Sequence, residues 1–506
     1  MIKERLQRGQ AMVLLAMAFI GLAAFIGLAV DTGILFIQIG HLRRAADAAS
    51  LAAANQFREG RSTAQIEAAA DEFINLNSLN PANANVFICD FDDPTSIYHD
   101  PALCPAAGDP PRKYVRVEAS MPVEFAFLPV VGFNSITINA EAVSETASVD
   151  LVLAIDTSPS MAYDAACDDG DDDDAWAETN LPGGLGAPDG VADDCGGSQV
   201  GGFEDDYFRD PANCNYVLNP STGSFERHCH PFEEVRTAAL ALVSRMYFPY
   251  DRMAVITFDR NAVVQQNLTS SQSAVVNQLS AMQVSSSPGC STFPDVRGCT
   301  STNIADGLES AGNQFGLFQR EEAVWIVILL TDGGANAATD ASGDWICPGA
   351  PNAPTWMAPY CRDPDFEVGT GAYGYDAEDA AEDAALFVGC PDANSPQPGA
   401  CPSPGQGAVI FSIGLGDLVT DNRNCDPAAY PPGYPGGCQP DAGEALLRYI
   451  AGVGDDGDPA TASSIDPCFG KPTAQSCGNY YFSPTGSGLL RVFEAIASRI
   501  FTRITH

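Results

Sequence analysis

Basic residues are scarce in this chain, and so is histidine. Its 506 residues include 25 Lys and Arg against 65 Asp and Glu, a formal net charge of −40, and only 5 His. A surface of this sign repels the phosphates of nucleic acids and attracts divalent cations, so we expect no nucleic-acid partner. A protein from a high-salt habitat would carry a similar acidic excess.

Common catalytic motifs are missing as well. The sequence contains no G-x-S-x-G elbow, no H-E-x-x-H pair and no P-loop, and Gly414-Leu415-Gly416 is too short a glycine pattern to indicate a nucleotide site. No histidine lies near the acidic and hydroxyl motif described below. We therefore expect a protein that is not an enzyme, and a metal-dependent hydrolase is the less favoured alternative.

No cysteine precedes Cys89, and no C-x-x-C pair occurs. An even number of cysteines in Pro/Gly-rich segments predicts a disulfide framework in an oxidising compartment, with a connectivity that spacing alone does not fix. Zinc is the alternative, suggested by Cys229 between His228 and His230. The 16 cysteines fall into near-neighbour pairs, which are Cys89 with Cys104, Cys167 with Cys195, Cys214 with Cys229, Cys290 with Cys299, Cys347 with Cys361, Cys390 with Cys401, Cys425 with Cys438 and Cys468 with Cys477.

The stretch LVLAIDTSPSM is an apolar run that ends in an acid and two hydroxyls. Leu151 to Ile155 predict a short buried strand of a parallel sheet, because the run is apolar without alternation. Asp156, Ser158 and Ser160 then lie beyond its carboxyl end, where open α/β sheets bind ligands. These are oxygen donors, which suit Mg²⁺, Ca²⁺ or Mn²⁺. An ordinary turn with a helix cap is the alternative.

Two later stretches extend the pattern. Thr302 lies in CTSTNIADGL, which opens a predicted helix, and Asp332 follows a predicted strand in AVWIVILLTDGG. Together the three segments resemble the von Willebrand factor A family, whose metal-ion-dependent adhesion site uses a D-x-S-x-S loop, a Thr from a second loop and an Asp from a third. Asp156, Ser158, Ser160, Thr302 and Asp332 match that motif position by position.

The resemblance implies an α/β fold over residues 149–506, a doubly wound parallel sheet with helices on both faces. An alternation of predicted strands and helices agrees with it, and Val263 to Asn267 predict an edge strand. The resemblance also implies a bound divalent cation, Mg²⁺ first and Ca²⁺ or Mn²⁺ as alternatives. This cation would bind a Glu or Asp side chain of a partner protein. The alternative is a structural tether in which the metal only stabilises the fold.

An acidic, cysteine-containing insertion at residues 162–230 follows the first metal segment. Its carboxylate clusters suggest calcium loops, and the DGVADDC stretch faintly resembles a thrombospondin type-3 repeat. The alternative is a solvated acidic loop held by disulfides. The acids of the possible calcium region are Asp168, Asp169, Asp171, Asp172, Asp173, Asp189 and Asp193.

Residues 1–58 begin with a basic tip, followed by Ala11 to Val30, a charge-free run about as long as a membrane-spanning helix. The bases in front predict a cytoplasmic amino terminus, and a cleaved signal peptide is the alternative. Arg8-Gly9-Gln10, Val30-Asp31-Thr32-Gly33 and Ala45 to Ala49 closely resemble the amino-terminal segment of TadE/TadG-like Flp pilus-assembly proteins. Leu14 replaces the Glu of a prepilin-peptidase site, so we expect a bacterial assembly component and not a processed pilin.

Residues 59–148 predict a small extracytoplasmic α+β region. Thr63 to Leu76 have helical spacing, and Lys113 to Phe127 and Ser135 to Ser144 have the pattern of strands. The stretch Phe125 to Ser144 also resembles the pilus-assembly family. Together with the apolar run, this predicts a single-pass protein of the inner membrane whose bulk is periplasmic or extracellular and which contacts other pilus-assembly components.

Overall fold

A computed structural model of the chain divides it into two compact units, Met1–Ser148 and Val149–His506. The residues that the structure describes are 2–58, 62–77, 84–91, 93–106, 111–158, 161, 217–218, 225–226, 231–284, 302–320, 322–335, 337–339, 377–395, 401–416, 419–420, 442–457 and 467–503.

The first unit consists of two helices and a three-stranded antiparallel sheet. The strand order is β1-β2-β3, with β1 and β3 both antiparallel to β2. Short 3-10 turns occupy Pro101–Leu103 and Leu128–Val131. The elements are α1 (Ile2–Arg58), α2 (Thr63–Leu76), β1 (Ala84–Ile88), β2 (Lys113–Glu124) and β3 (Ser135–Thr146).

Helix α1 continues well beyond the predicted membrane segment, as the apolar and alanine-rich residues after Asp31 indicate. Its carboxyl-terminal half buries one stripe of mostly small residues at helical spacing, namely Leu42, Ala45, Ala46, Ala49, Ser50, Ala53, Ala54 and Phe57. Small side chains let the helix pack closely, and the Ser50 hydroxyl lies 2.8 Å from the hydroxyl of Ser144 on β3. The amino-terminal half is long and apolar enough to cross a membrane.

The second unit is built on a six-stranded sheet with the order β11-β10-β9-β4-β7-β8. Strand β4 lies inside the sheet, and all of its residues are buried, as its unbroken apolar run predicted. The elements are β4 (Ser148–Asp156), β5 (Val217–Leu218), β6 (Phe225–Glu226), α3 (Phe232–Val243), β7 (Arg252–Phe258), β8 (Ala262–Thr269), α4 (Gln272–Ala281), α5 (Ile304–Leu317), β9 (Ala323–Thr331), α6 (Ala377–Gly389), β10 (Val409–Leu415), α7 (Ala442–Asp456), β11 (Tyr480–Ser483) and α8 (Leu489–Arg503).

Two apolar cores cover the two faces of this sheet. Alternate residues of β4 point to opposite faces, with Leu151 and Leu153 in one core and Val152 and Ala154 in the other. The first core contains residues of α3, α4 and α8, and the second contains residues of α5, α6 and α7. The doubly wound architecture with helices on both faces is therefore confirmed.

The prediction of an entirely parallel sheet was wrong at one edge. Strand β8 is the edge strand expected near Val263 to Asn267, but it pairs antiparallel with β7. The connection from Phe258 to Ala262 is too short for the crossover that a parallel pair requires, so the two strands form a hairpin. The sheet is mixed, and its other assigned pairs, β4/β7, β9/β10 and β10/β11, are parallel.

Three of the expected cysteine pairs form disulfides in the described part of the chain. They are Cys89–Cys104 in the first unit and Cys390–Cys401 and Cys468–Cys477 in the second. These bridges join neighbours in sequence, so each closes a short loop. The other five pairs stay predictions because they lie outside the described residues, namely Cys167 with Cys195, Cys214 with Cys229, Cys290 with Cys299, Cys347 with Cys361 and Cys425 with Cys438.

Candidate metal centre

The chain changes direction across the sheet between β4 and β9. From β4 it builds β7 and β8 on one side, and it then crosses to build β9, β10 and β11 on the other. In doubly wound sheets the ligand crevice lies at this switch point, beyond the carboxyl ends of the strands. Asp156 ends β4, and Asp332 follows the last residue of β9. The two acids predicted from sequence therefore lie at adjacent strand ends.

Asp156 is fully buried and has contacts on both carboxylate oxygens. The backbone N–H of Ser158 donates to Oδ1 at 2.7 Å, and the Thr331 hydroxyl donates to Oδ2 at 2.6 Å. The first bond folds the loop back on the strand end, while the second ties the end of β4 to the end of β9. The carboxylate is thus held at a fixed position between the two loops.

The loop after β9 brings the Thr302 segment into the same place. The Gly333 N–H lies 3.2 Å from the Thr331 hydroxyl oxygen, and a Cβ on Gly333 would lie 4.0 Å from the Thr302 hydroxyl. Thr302 and Asp332 are 4% and 3% exposed, and Ser158 is 1% exposed. The structure therefore gathers Asp156, Ser158, Thr302 and Asp332 at one edge of the sheet.

The loop after β7 completes this edge, and the sequence analysis did not include it. Asn303 donates from its backbone N–H to the Asp259 carbonyl at 2.8 Å, and its side-chain amide donates to the Arg260 carbonyl at 3.1 Å. The Asn303 side chain also caps α5 by accepting from the Asp306 N–H. These bonds fix Thr302 because it directly precedes the cap. Asp259 directly follows the last residue of β7, and an acid at the end of a strand is the sequence signal that could have identified it as a site residue.

Burial, with a smaller contribution from the negative charge of Asp259, raises the pKa of the Asp156 carboxyl to about 6. The hydrogen bonds from Thr331 and Ser158 act in the opposite direction but only partly offset the burial. A buried acid with a second acid near it is a costly arrangement unless a positive charge joins it. All side chains gathered here offer oxygen, the donor that Mg²⁺, Ca²⁺ and Mn²⁺ prefer. The residues present therefore fit a hard divalent cation.

Several predicted site residues lie outside the described part of the chain. They are Ser160, Cys229 with its flanking His228 and His230, and the acids of the possible calcium region, Asp168, Asp169, Asp171, Asp172, Asp173, Asp189 and Asp193. Among the described residues, the one His/Cys/Asp/Glu cluster compact enough for a metal is Cys89, His99 and Cys104. Its two cysteines form a disulfide, which removes the thiolates that zinc would need.

Residues 221–335 match the von Willebrand factor type A domain family. The second unit has the von Willebrand factor A fold. The matched segment includes Thr302 and Asp332, while the strand that carries Asp156 precedes it, separated by most of the acidic insertion. The search of curated proteins found no match to this chain.

Solved structures of pilus and byssus proteins are similar to the chain at low identity. The von Willebrand factor domain of the type V pili tip protein Mfa5 from Porphyromonas gingivalis is 14% identical, covering 71% of this chain and 97% of that one, with a TM-score of 0.34. The pilus adhesin SpaC from Lactobacillus rhamnosus GG is 11% identical, covering 82% and 37%, with a TM-score of 0.34. Proximal thread matrix protein 1 from the mussel byssus, whose adhesion motif holds zinc in that structure, is 15% identical, covering 70% and 46%, with a TM-score of 0.31.

Proposed function

We propose that the protein is a membrane-anchored pilus-assembly or adhesion protein whose second unit binds a partner carboxylate through a divalent cation, most readily Mg²⁺. The observation that carries the proposal is the meeting of Asp156, Ser158, Thr302 and Asp332 at the switch point of the sheet. The family match supports it at two of the four positions, because the matched residues 221–335 include Thr302 and Asp332.

Each member of the site has a distinct part in holding the cation. Ser158, Ser160 and Thr302 would offer neutral hydroxyl oxygens, and Asp156 and Asp332 would offer carboxylates directly or through water. Neutral hydroxyls leave more of the cation's charge available to an incoming anion than carboxylates would. The chain has 65 acidic residues, so the cation supplies the attraction that an acidic partner would otherwise lack.

The anchor and the compartment rest on different observations. Helix α1 has the length and composition of a membrane span, and the basic tip before it favours a cytoplasmic amino terminus. Disulfides in both units favour an oxidising environment for the rest of the chain. We therefore place the bulk of the protein on the periplasmic or extracellular side, with TadE/TadG-type assembly components as its neighbours.

The depth of the site supports a second candidate, a structural tether in which the cation stabilises the fold. Asp156 has no exposed surface, and the three other described site residues are at most 4% exposed. A cation enclosed to this degree would order the strand ends without offering a position to a partner. The two candidates differ in whether a carboxylate reaches the bound ion.

Water proton relaxation of bound Mn²⁺ tests this difference on the full-length protein in nanodiscs. We expect glutarate, a small dicarboxylate probe, to displace water from the ion and lower the relaxation enhancement, while glutaramide, its uncharged counterpart, leaves it unchanged. The Asp332→Asn protein should lose the Mn²⁺ signal. A tightly bound Mn²⁺ whose relaxation is insensitive to glutarate would favour the structural tether over the binding protein.

A further inference from the structure

Residues 125–134 of the first unit form a loop between β2 and β3 that docks on α1. The Phe125 N–H donates to the Asn134 carbonyl at 3.0 Å and closes the loop. The Asp31 carboxylate of α1 accepts the N–H groups of Ala126 at 2.7 Å, Phe127 at 3.1 Å and Leu128 at 2.7 Å. Asp31 is 1% exposed, so one acid joins the loop to the helix.

The docking point lies at the end of the apolar run of α1. One helical turn before Asp31, a Cβ on Gly27 would lie 2.9 Å from the Phe127 Cβ, so a glycine is needed there for the loop to approach. Apolar residues continue beyond Asp31, where Phe36 and Ile37 are 71% and 69% exposed. The loop therefore sits beside a part of the helix that is apolar on both sides of a single acid.

The loop presents large apolar side chains outward. Val130 is 89% exposed, Phe133 is 65% exposed and Phe127 is 50% exposed. Large apolar side chains clustered on one loop mark an interaction site more often than single exposed ones do. At the same level of α1, Phe25 and Ile26 are 70% and 52% exposed, so the loop and the helix both present apolar side chains at this height.

The loop also satisfies most of its backbone donors, as a segment in a non-aqueous environment requires. Besides the N–H groups bound to Asp31 and Asn134, three others donate to carbonyls of the loop itself. These are Val130 to Phe127, Gly132 to Pro129 and Phe133 to Leu128, each at 3.1 Å. The negative charge of Asp31 is likewise covered by donors, which lowers the cost of placing it near lipid.

The rest of the unit is oriented away from this loop. Strand β1 pairs Ile88 with Val115, at the far end of β2 from Glu124, and the Ser50–Ser144 contact lies at that far end too. Asp31 and Ser50 are separated by about 28 Å along α1, from a rise of about 1.5 Å per residue. Ile97, next to the far end of β1, is 80% exposed.

We propose that the loop 125–134 is a second membrane contact that lies in the outer interface of the bilayer beside the α1 span, with Phe127, Val130 and Phe133 among the acyl chains and headgroups. The proposal rests on α1 spanning a membrane, as proposed above. Lipid is the occupant that the structure favours, because the patch adjoins the surface of α1 that faces the bilayer. Phe and Leu side chains are typical of the apolar face that interfacial helices bury at the boundary of headgroups and acyl chains.

Tryptophan quenching by spin-labelled lipid tests the proposal on the full-length protein in nanodiscs. Three single variants are compared with the parent chain, whose four native Trp give the same background in all samples. They are Val130→Trp in the loop, Ile97→Trp at the far end as the exposed control, and Phe25→Trp within the span. The lipid carries the nitroxide near the top of the acyl chain.

We expect the added fluorescence of Val130→Trp to fall by about half, that of Phe25→Trp to fall at least as much, and that of Ile97→Trp to stay unchanged. Quenching of Phe25→Trp without quenching of Val130→Trp would overturn the loop contact and leave the membrane anchor intact. A blue-shifted but unquenched Val130→Trp would also overturn it, because protein and not lipid would then cover the loop. If Phe25→Trp were unquenched, the anchor itself would fail, and the loop contact with it.

Discussion

Replacing the buried acid of the metal centre should change stability in opposite directions with and without a cation. In Asp156→Asn the side chain keeps its size and one oxygen, which can still accept the Ser158 N–H. The new amide can donate to the Thr331 hydroxyl, which now donates to Asp156. The substitution therefore removes a negative charge while retaining most of the local hydrogen bonds.

The magnitude follows from the shifted pKa of Asp156. Its value in the folded protein, about 6, lies above the ordinary value of 3.8, so the folded state binds more protons than the unfolded state between these values. Stability in the absence of metal therefore falls as the pH rises from about 4 to about 6. Above that window the ionised carboxylate costs roughly 3 kcal/mol, at about 1.4 kcal/mol per pKa unit. Asp156→Asn lacks this cost.

Calorimetric unfolding at neutral pH measures the effect. In EDTA we expect Asp156→Asn to unfold at a higher temperature than the parent protein, and near pH 4 the two should nearly coincide. In Mg²⁺ at about 100 times Kd the parent should gain about 2.7 kcal/mol, whereas the variant should gain little. An Asp156→Asn protein that is less stable than the parent in EDTA at neutral pH would refute the reasoning.

Asp150→Asn is the matched control because it lies on the same strand and is equally buried. The Asp150 carboxylate binds Arg252 at 2.5 Å and Arg320 at 2.8 Å, and Arg320 is itself buried. Removing this charge leaves cationic groups without their carboxylate, so we expect a loss of roughly 3 to 5 kcal/mol. That loss should be the same in EDTA and in Mg²⁺. A cation-dependent effect at Asp150 would contradict the assignment of the site to the other end of the strand.

Two further predictions concern packing and docking. Asp31→Asn removes the charge that holds the loop 125–134 and should lower the free energy of unfolding by roughly 2 kcal/mol. The control is Asp47→Asn at an exposed position of the same helix, which should lower it by less than about 0.5 kcal/mol. Equal losses in urea unfolding of the full-length protein in detergent would contradict the docking role of Asp31. Gly454→Ala places a Cβ against Ile410 on β10 and should lower the midpoint of thermal unfolding. The control is Gly316→Ala, whose Cβ meets nothing within 4 Å, and it should leave the midpoint unchanged or raise it slightly. Equal midpoints for the two variants would show that α7 can move away from the sheet.

The central strand and the predicted metal ligands could be located from sequence because each depends on short-range pattern. The apolar runs before Asp156 and Asp332 predict buried strands that each end near an acid, and the resemblance to the von Willebrand factor A family implied that the two acids share one site. The helix after Thr302 was likewise predicted, and in the structure the Asn303 side chain caps it. Ser160 remains a prediction, since the structure does not describe it.

Other features depend on contacts between distant segments and could not be seen in the same way. Thr331 looks like the last residue of an apolar strand, and its hydroxyl gains a role only because β9 lies beside β4. In the sequence Asp31 looks like the polar end of a membrane segment. In the structure it accepts backbone N–H groups from a loop that lies 95 or more residues later in the chain. Strand β1 was missed because Ala84–Ile88 has few signals of its own and is fixed by pairing with β2.

The antiparallel edge strand was within reach of sequence reasoning. Only three residues separate β7 from β8, which excludes a parallel crossover whatever the side chains are. The same three residues include Asp259, whose charge acts on Asp156. Attention to the length of that connection would have given both the direction of β8 and a further acid near the site.

Isothermal titration calorimetry of Mg²⁺, Mn²⁺ and Ca²⁺ into the full-length protein tests the metal centre most directly. The comparison is with the Asp156→Ala/Asp332→Ala double variant, whose remaining acids are unchanged. We predict one site that the parent protein has and the double variant lacks, filled by Mg²⁺ or Mn²⁺. The same number of sites and the same affinities in both proteins would contradict a cation centre at the switch point of the sheet.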